Sequence, residues 1–224
     1  MKLRSRARLV ALATLITVTS CSSPAAPKIP NRPPNVEPPT SVPGPTATAP
    51  EALGPAPDDL RKVDWANATL PAQFCSIQEP VHLQNGESEA MSAQWGRVHV
   101  ALSSVHRVMA YGDLDGDGRP EAAVGLECDN NGGTASGQLA FGYAVIGTAN
   151  GSLRALGSIG TRKNPEDAGH ATLTGGASIA RGTVVVEELW YRHADSTCCP
   201  SGTARTTWRW QDGELVPGST VVTS

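Results

Sequence analysis

The 224-residue chain has no hydrophobic run long enough to cross a bilayer. Leu9 to Val18, the apolar stretch behind the N-terminus, is interrupted by threonines and stops short of the ~20 residues that a membrane helix needs. Positive charge is scarce too. Of the 18 basic residues four lie at the extreme N-terminus (Lys2, Arg4, Arg6 and Arg8), which leaves 14 against 21 acidic ones in the remainder. No basic patch stands out, which argues against nucleic acid and anionic lipid surfaces as partners. No long stretch keeps a helical period. Motifs for catalysis are equally thin. The five histidines, His82, His99, His106, His170 and His193, form neither H-x-H nor H-E-x-x-H, and read as surface or core residues. Gly157-Ser158-Ile159-Gly160 is one residue away from a nucleophile elbow and sits in a strand pattern. Glu187 and Glu188 are neighbours, so a strand would point them to opposite faces rather than pair them.

What is present begins at the N-terminus. A basic start, the apolar segment Leu9–Val18 and the small residues Thr19 and Ser20 lead directly into Cys21. This order has the form of an export signal, and it resembles a bacterial lipobox. The resemblance implies that residues 1–20 are a lipoprotein signal peptide, that Cys21 receives the lipid, and that the protein is held at the extracytoplasmic face of the cell membrane. Arg4 and Arg6 are not adjacent, so a twin-arginine route is not favoured. Residues 22–57 then hold 12 of the 18 prolines. Such a stretch buries too little surface to offset its ordering entropy, and it stiffens toward polyproline II. Residues 21–59 are therefore expected to be a disordered linker, and 60–224 a single globular domain. Thr40, Thr46 and Thr48 could carry sugars on such a stalk.

Strand signals fill the domain. They cover Arg97–Met109, Glu121–Glu127, Gln138–Gly147, Ser152–Ile159, Ala177–Ala180, Thr183–Tyr191, Thr203–Trp210 and Glu214–Val216. Asn150-Gly151, Arg181-Gly182 and Asp212-Gly213 punctuate them as turns. Leu60–Leu70 reads as a short helix or an irregular segment. The expected fold is mainly β: an antiparallel sandwich, barrel or partial-propeller-like domain. Trp190, Trp208 and Trp210 could stack a sugar, but in a β domain they read first as core. With Cys21 assigned to the lipid, Cys75, Cys128, Cys198 and Cys199 remain, an even number that reads as disulfides in an exported chain. Spacing leaves the pairing open. Cys75–Cys128 with Cys198–Cys199 is the simplest, and separate bridges from Cys198 and Cys199 to the other two avoid a bond between neighbours. The spacing matches no common zinc site.

The strongest chemical motif is Asp113-Leu114-Asp115-Gly116-Asp117-Gly118-Arg119-Pro120-Glu121. Carboxylates at alternate positions converge when a loop curls around one point, and Gly116 and Gly118 allow the curl. Dense hard oxygen ligands suit calcium. The expected ligands are Asp113, Asp115, Asp117, the backbone carbonyl of Arg119 and Glu121. An EF-hand register would put Val124 where the bidentate Glu belongs, so the loop is of another kind. It resembles the D-x-D-G-D-G-x-x-[DE] loops of FG-GAP repeats, in which the acidic loop joins two strands, although it occurs only once here. A wider resemblance covers Tyr111-Gly112-Asp113 to Val124, Gly132-Gly133, the Tyr143–Ile146 strand and Asp195-Ser196-Thr197-Cys198-Cys199-Pro200-Ser201. These segments are similar to a set of bacterial envelope proteins with a late D-x-x-C-C-P-[ST] motif. That resemblance implies Cys198–Cys199 as a unit, and hence Cys75–Cys128, and it brings no catalytic activity. The functional expectation is a lipid-anchored envelope protein whose non-catalytic, calcium-stabilised β domain binds an envelope glycan or protein or has a structural role. The alternative is a secreted hydrolase or carbohydrate-active domain.

Overall fold

The computed structural model describes residues 52–104, 109–131, 137–166 and 169–224. Residues 1–20, read as a signal peptide, Cys21, most of the expected linker, His106 and Gly132-Gly133 lie outside the described residues. The larger sheet contains β1 (Ala52–Pro55), β4 (Glu87–Ser92), β5 (Gly96–Leu102), β6 (Met109–Gly112), β7 (Glu121–Asp129), β8 (Gln138–Ala149) and β9 (Ser152–Gly160). Its order is β1-β9-β8-β7-β5-β4, and β6 pairs the opposite end of the same edge of β7 that β5 uses. β2 (Thr69–Leu70) and β3 (Val81–His82) form a two-stranded ribbon. The second large sheet runs β10 (Leu173–Ala180), β11 (Thr183–Trp190), β12 (Gly202–Gln211), β13 (Glu214–Val222). Every pairing is antiparallel, and the larger sheet curls as a half-barrel. The fold is thus mainly β with antiparallel sheets, as the strand signals indicate. Leu60–Lys62, Trp65–Asn67 and Gln73–Cys75 are three-residue 3-10 turns.

The apolar run in β7 follows from its position. Ala122, Val124, Leu126 and Cys128 face one side, where they pack with Leu60, Trp65 and Cys75 from the N-terminal turns and with Leu70 and Leu83 at the β2–β3 ribbon. Ala123, between them, faces the other side with Tyr143, Val145 and Ile159, against Val184, Val186 and Trp208 of the second sheet. A strand covered on both faces has no polar side to show, so its alternation disappears. The strands of the second sheet do alternate: Val184, Val186, Glu188 and Trp190 are buried on β11, and Glu187 between them is exposed. Two hairpins form where the turn residues place them. Asn150 and Gly151 have φ of 52° and 73°, and Asp212 and Gly213 have 52° and 84°. Positive φ at both central positions matches the twist of the flanking strands.

The expected linker runs too far. Ala52–Pro55 lies inside the 21–59 range yet pairs β9, and the Ala56 N–H donates to the Gly151 carbonyl at 2.9 Å. Leu53, 8% exposed, supplies the burial that its proline-rich surroundings lack. Pro55 is tolerated because β1 is an edge strand. The segment Arg97–Met109 also divides, into β5 and β6.

Candidate metal centre

The acidic loop leaves β6 at Gly112 and returns as β7 at Glu121. Its base is pinned to the second sheet. A Cβ on Gly112 would overlap the Ile179 carbonyl of β10, so only glycine permits this approach. The Gly182 N–H, in the β10–β11 turn, donates to the Leu114 carbonyl at 2.8 Å. Leu114, 1% exposed, plugs the core between the sheets. The rim is a succession of Asx turns. Asp113 Oδ1 accepts from the Gly116 N–H at 2.7 Å, Asp115 Oδ1 from the Asp117 N–H at 3.1 Å, and Asp117 Oδ1 from the Arg119 N–H at 2.8 Å. Gly116 and Gly118 take φ of 84° and 86°, the left-handed angles that the curl demands.

This folding brings together Asp113, Asp115 and Asp117, with one ligand oxygen from each inside a span of 4.8 Å. A hard cation bound at 2.3–2.6 Å by each oxygen spans about 5 Å from ligand to ligand, so the group fits one ion. The trio is able to hold a metal ion. Asp113 is half-buried and the other two are exposed. Arg119 is the local counter-charge: its Nε and Nη2 donate to Asp117 Oδ2 at 3.0 and 2.7 Å, which holds that carboxyl below the usual range. What the structure shows of Arg119 is therefore its N–H and guanidinium, both on Asp117.

Glu121, also expected as a ligand, is not among the three residues whose oxygens converge. It is 3% exposed, and Oε2 accepts from the Leu114 N–H at 2.6 Å and the Asp115 N–H at 3.4 Å. As the first residue of β7 it turns inward and ties the loop to its own base. Burial pushes its carboxyl up, the Leu114 N–H pulls it down, and the charge of Asp115 pushes it up again, leaving it above the ordinary value. A cation at the rim would relieve that repulsion.

Among the described residues the histidines are dispersed. His82 meets Thr69 Oγ1 at 3.2 Å, His170 packs on the Tyr191 ring at 4.7 Å, and the His193 N–H donates to Glu166 at 3.3 Å. His99 is different: Nδ1 lies 3.0 Å from Asp129 and Nε2 3.2 Å from Glu87. Burial opposes its charge, but the two carboxylates outweigh that and raise its pKa. Nothing in the sequence marks this cluster, because the register of β4, β5 and β7 assembles it. Trp190 and Trp208 are buried at 4% and 7%, core positions rather than a sugar platform. A groove of about 620 Å³ on the second sheet is lined by Gly175, Gly176, Ser178, Glu187, Arg205 and Thr207 among others. Neither a histidine nor a tryptophan is among its lining residues.

The bridges are Cys75–Cys128 and Cys198–Cys199. Among the described residues, no helix is long and apolar enough to cross a membrane. Comparison of the chain with protein families, with curated proteins and with solved structures returns no match.

Proposed function

We propose that the protein is a lipid-anchored component of the cell envelope, tethered through Cys21, whose β domain is stabilised by a calcium ion in the Asp113–Asp117 loop and has a non-catalytic binding or structural role. The observation that carries this reading is the convergence of the three aspartates within 4.8 Å on a loop pinned to both sheets. An ion there would tighten the junction from which β6, β7 and the β10–β11 turn diverge. All the side-chain donors are hard carboxylate oxygens, which suits calcium over softer-ligand metals, and an exposed loop adapts to calcium's loose geometry better than to magnesium's strict octahedron.

Melting in calcium and in chelator tests the ion. At about a hundred times Kd, binding to the native state alone adds about 2.7 kcal/mol, a rise of roughly 5–10 °C for a domain of this size. Asp115→Ala with Asp117→Ala is expected to abolish the difference, and magnesium to restore little of it. Identical melting of the unaltered protein in calcium and in chelator would refute the ion. The tether has its own test. Intact mass of the membrane fraction should show a diacylglyceryl adduct on a chain that begins at Cys21, and Cys21→Ala should lose it. Unchanged membrane retention of that variant would rule out acylation.

The groove on the second sheet favours a second reading, a glycan-binding or carbohydrate-active domain. Its volume falls in the range of ligand sites, and the Glu187–Arg205 pair, at 3.1 Å, offers both charges to a polar ligand.

A further inference from the structure

The turn from Arg192 to Ser201 carries chemistry that the acidic loop does not use. Cys198 and Cys199 are bonded to each other, and both residues are exposed. Cys75 and Cys128, the other bridge, are each 0% exposed. A disulfide opens by attack of a thiolate on one of its sulfurs, so access separates the two bridges sharply.

The turn is held without help from the S–S bond. Asp195 Oδ2 accepts from the N–H groups of Arg192 at 2.7 Å and Ser201 at 2.8 Å, and Oδ1 accepts from the Ser201 hydroxyl at 2.7 Å. The Tyr191 hydroxyl donates to the Thr197 carbonyl at 3.0 Å, and the Arg192 guanidinium donates to the Ser201 carbonyl at 3.0 Å. None of these contacts uses a sulfur atom, so opening the bridge removes none of their donors or acceptors. The sulfurs are also unequal. Ser196 Oγ lies 3.3 Å from Cys198 Sγ, and a bridged sulfur carries no hydrogen, so the hydroxyl is the donor. It stands ready to stabilise negative charge on Cys198.

We propose that Cys198–Cys199 is an exchange-active disulfide, opened by a dithiol reductant while Cys75–Cys128 persists, with Cys199 Sγ attacked and Cys198 Sγ leaving. In the first step the reductant's thiolate forms a bond to Cys199 Sγ. The S–S bond breaks and its electron pair goes to Cys198 Sγ, where the Ser196 hydroxyl receives the charge. In the second step the reductant's other thiolate attacks the reductant's own sulfur in the mixed disulfide and releases Cys199 as a thiolate. The reductant departs as a cyclic disulfide. Two electrons pass to the protein, and the two protons lost by the dithiol balance those taken up by the two cysteines.

The test treats the folded full-length protein with dithiothreitol at neutral pH, quenches with N-ethylmaleimide and maps labels by peptide mass. Cys198 and Cys199 are expected to label roughly ten-fold or more faster than Cys75 and Cys128. Equal rates, or labelling of all four only when the protein unfolds, would overturn the proposal. Direction is read separately, with glutathione as a single thiol and rapid alkylation. The glutathione adduct should sit on Cys199 and the alkyl group on Cys198. Ser196→Ala should slow opening about three-fold and raise the Cys198 thiol pKa in the reduced protein, a readout that a merely structural serine would not move. An even distribution of adducts, with no change in that variant, would overturn the assignment of the leaving sulfur.

Discussion

Replacing Cys75 and Cys128 together by alanine is expected to lower the unfolding free energy by about 4 kcal/mol. Two positions 53 apart are tied, and the bridge shortens the unfolded chain's range of conformations by a loop of that length. Loop-closure entropy for such a loop gives the figure directly. The native side adds to it. Cys75 closes the Gln73–Cys75 turn, Cys128 lies on β7, and both are in the core between the larger sheet and the N-terminal turns. The bridge therefore staples a cap with little regular structure of its own to the strand at the centre of the fold. The midpoint of thermal unfolding should fall by about 10 °C. The denaturant slope should rise, because an unbridged chain exposes more surface when it unfolds. A loss below about 1 kcal/mol, with unchanged slope, would show that the cap is held by packing alone.

Much of the β architecture is readable in the chain because the signals are local. Asn150-Gly151 and Asp212-Gly213 need positive φ at both positions and take it. Val184, Val186 and Glu188 share a face by simple alternation, and that face is buried. Other features depend on partners distant in sequence. Glu121 looks like another ligand in a row of acids, but the need of the Leu114 N–H for an acceptor in a buried place turns it inward. Leu53 is one apolar residue among prolines, and only the open edge of β9 shows that it starts the domain. His99 acquires Asp129 as a cross-strand neighbour through a register that no spacing reveals. The cysteine count points to bridges, but spacing does not decide the pairing, because it is the fold that sets Cys75 and Cys128 on facing elements with Cα atoms 6.2 Å apart. The three aspartates converge as their alternation suggests, because Asx turns and glycines are sufficient to curl a short loop.

Glu188→Ala is expected to cost about 3–5 kcal/mol, a loss comparable to that of the buried bridge. Glu188 is 0% exposed on β11. Its Oε2 accepts from the N–H groups of Arg162 at 2.8 Å and Lys163 at 2.7 Å, and its Oε1 from the Thr206 hydroxyl at 2.7 Å. Thr206 in turn lies 2.8 Å from the Thr220 hydroxyl, so one chain of polar contacts joins β11, β12 and β13 to the segment that follows β9. That segment is where the chain leaves the larger sheet for the smaller one. Lys163 also sets its ammonium 3.9 Å from the centre of the Trp190 ring, so the backbone and side chain of one residue are both held from β11. Alanine would leave two half-buried N–H groups without their acceptor and open a cavity where the buried side chain stood. Glutamine separates the causes. Its single oxygen can still accept from the two N–H groups, while its NH₂ faces Thr206, whose hydroxyl can turn to donate to Thr220. Glu188→Gln should therefore lose only about 1–2 kcal/mol. In the alanine variant, hydrogen exchange at Arg162 and Lys163 should speed up far more than at β7, because the connection between the sheets loosens before the core opens. Equal stability of the alanine variant and the unaltered protein would mean that water replaces the carboxylate, and that the Glu188 contacts add nothing to the link between the sheets.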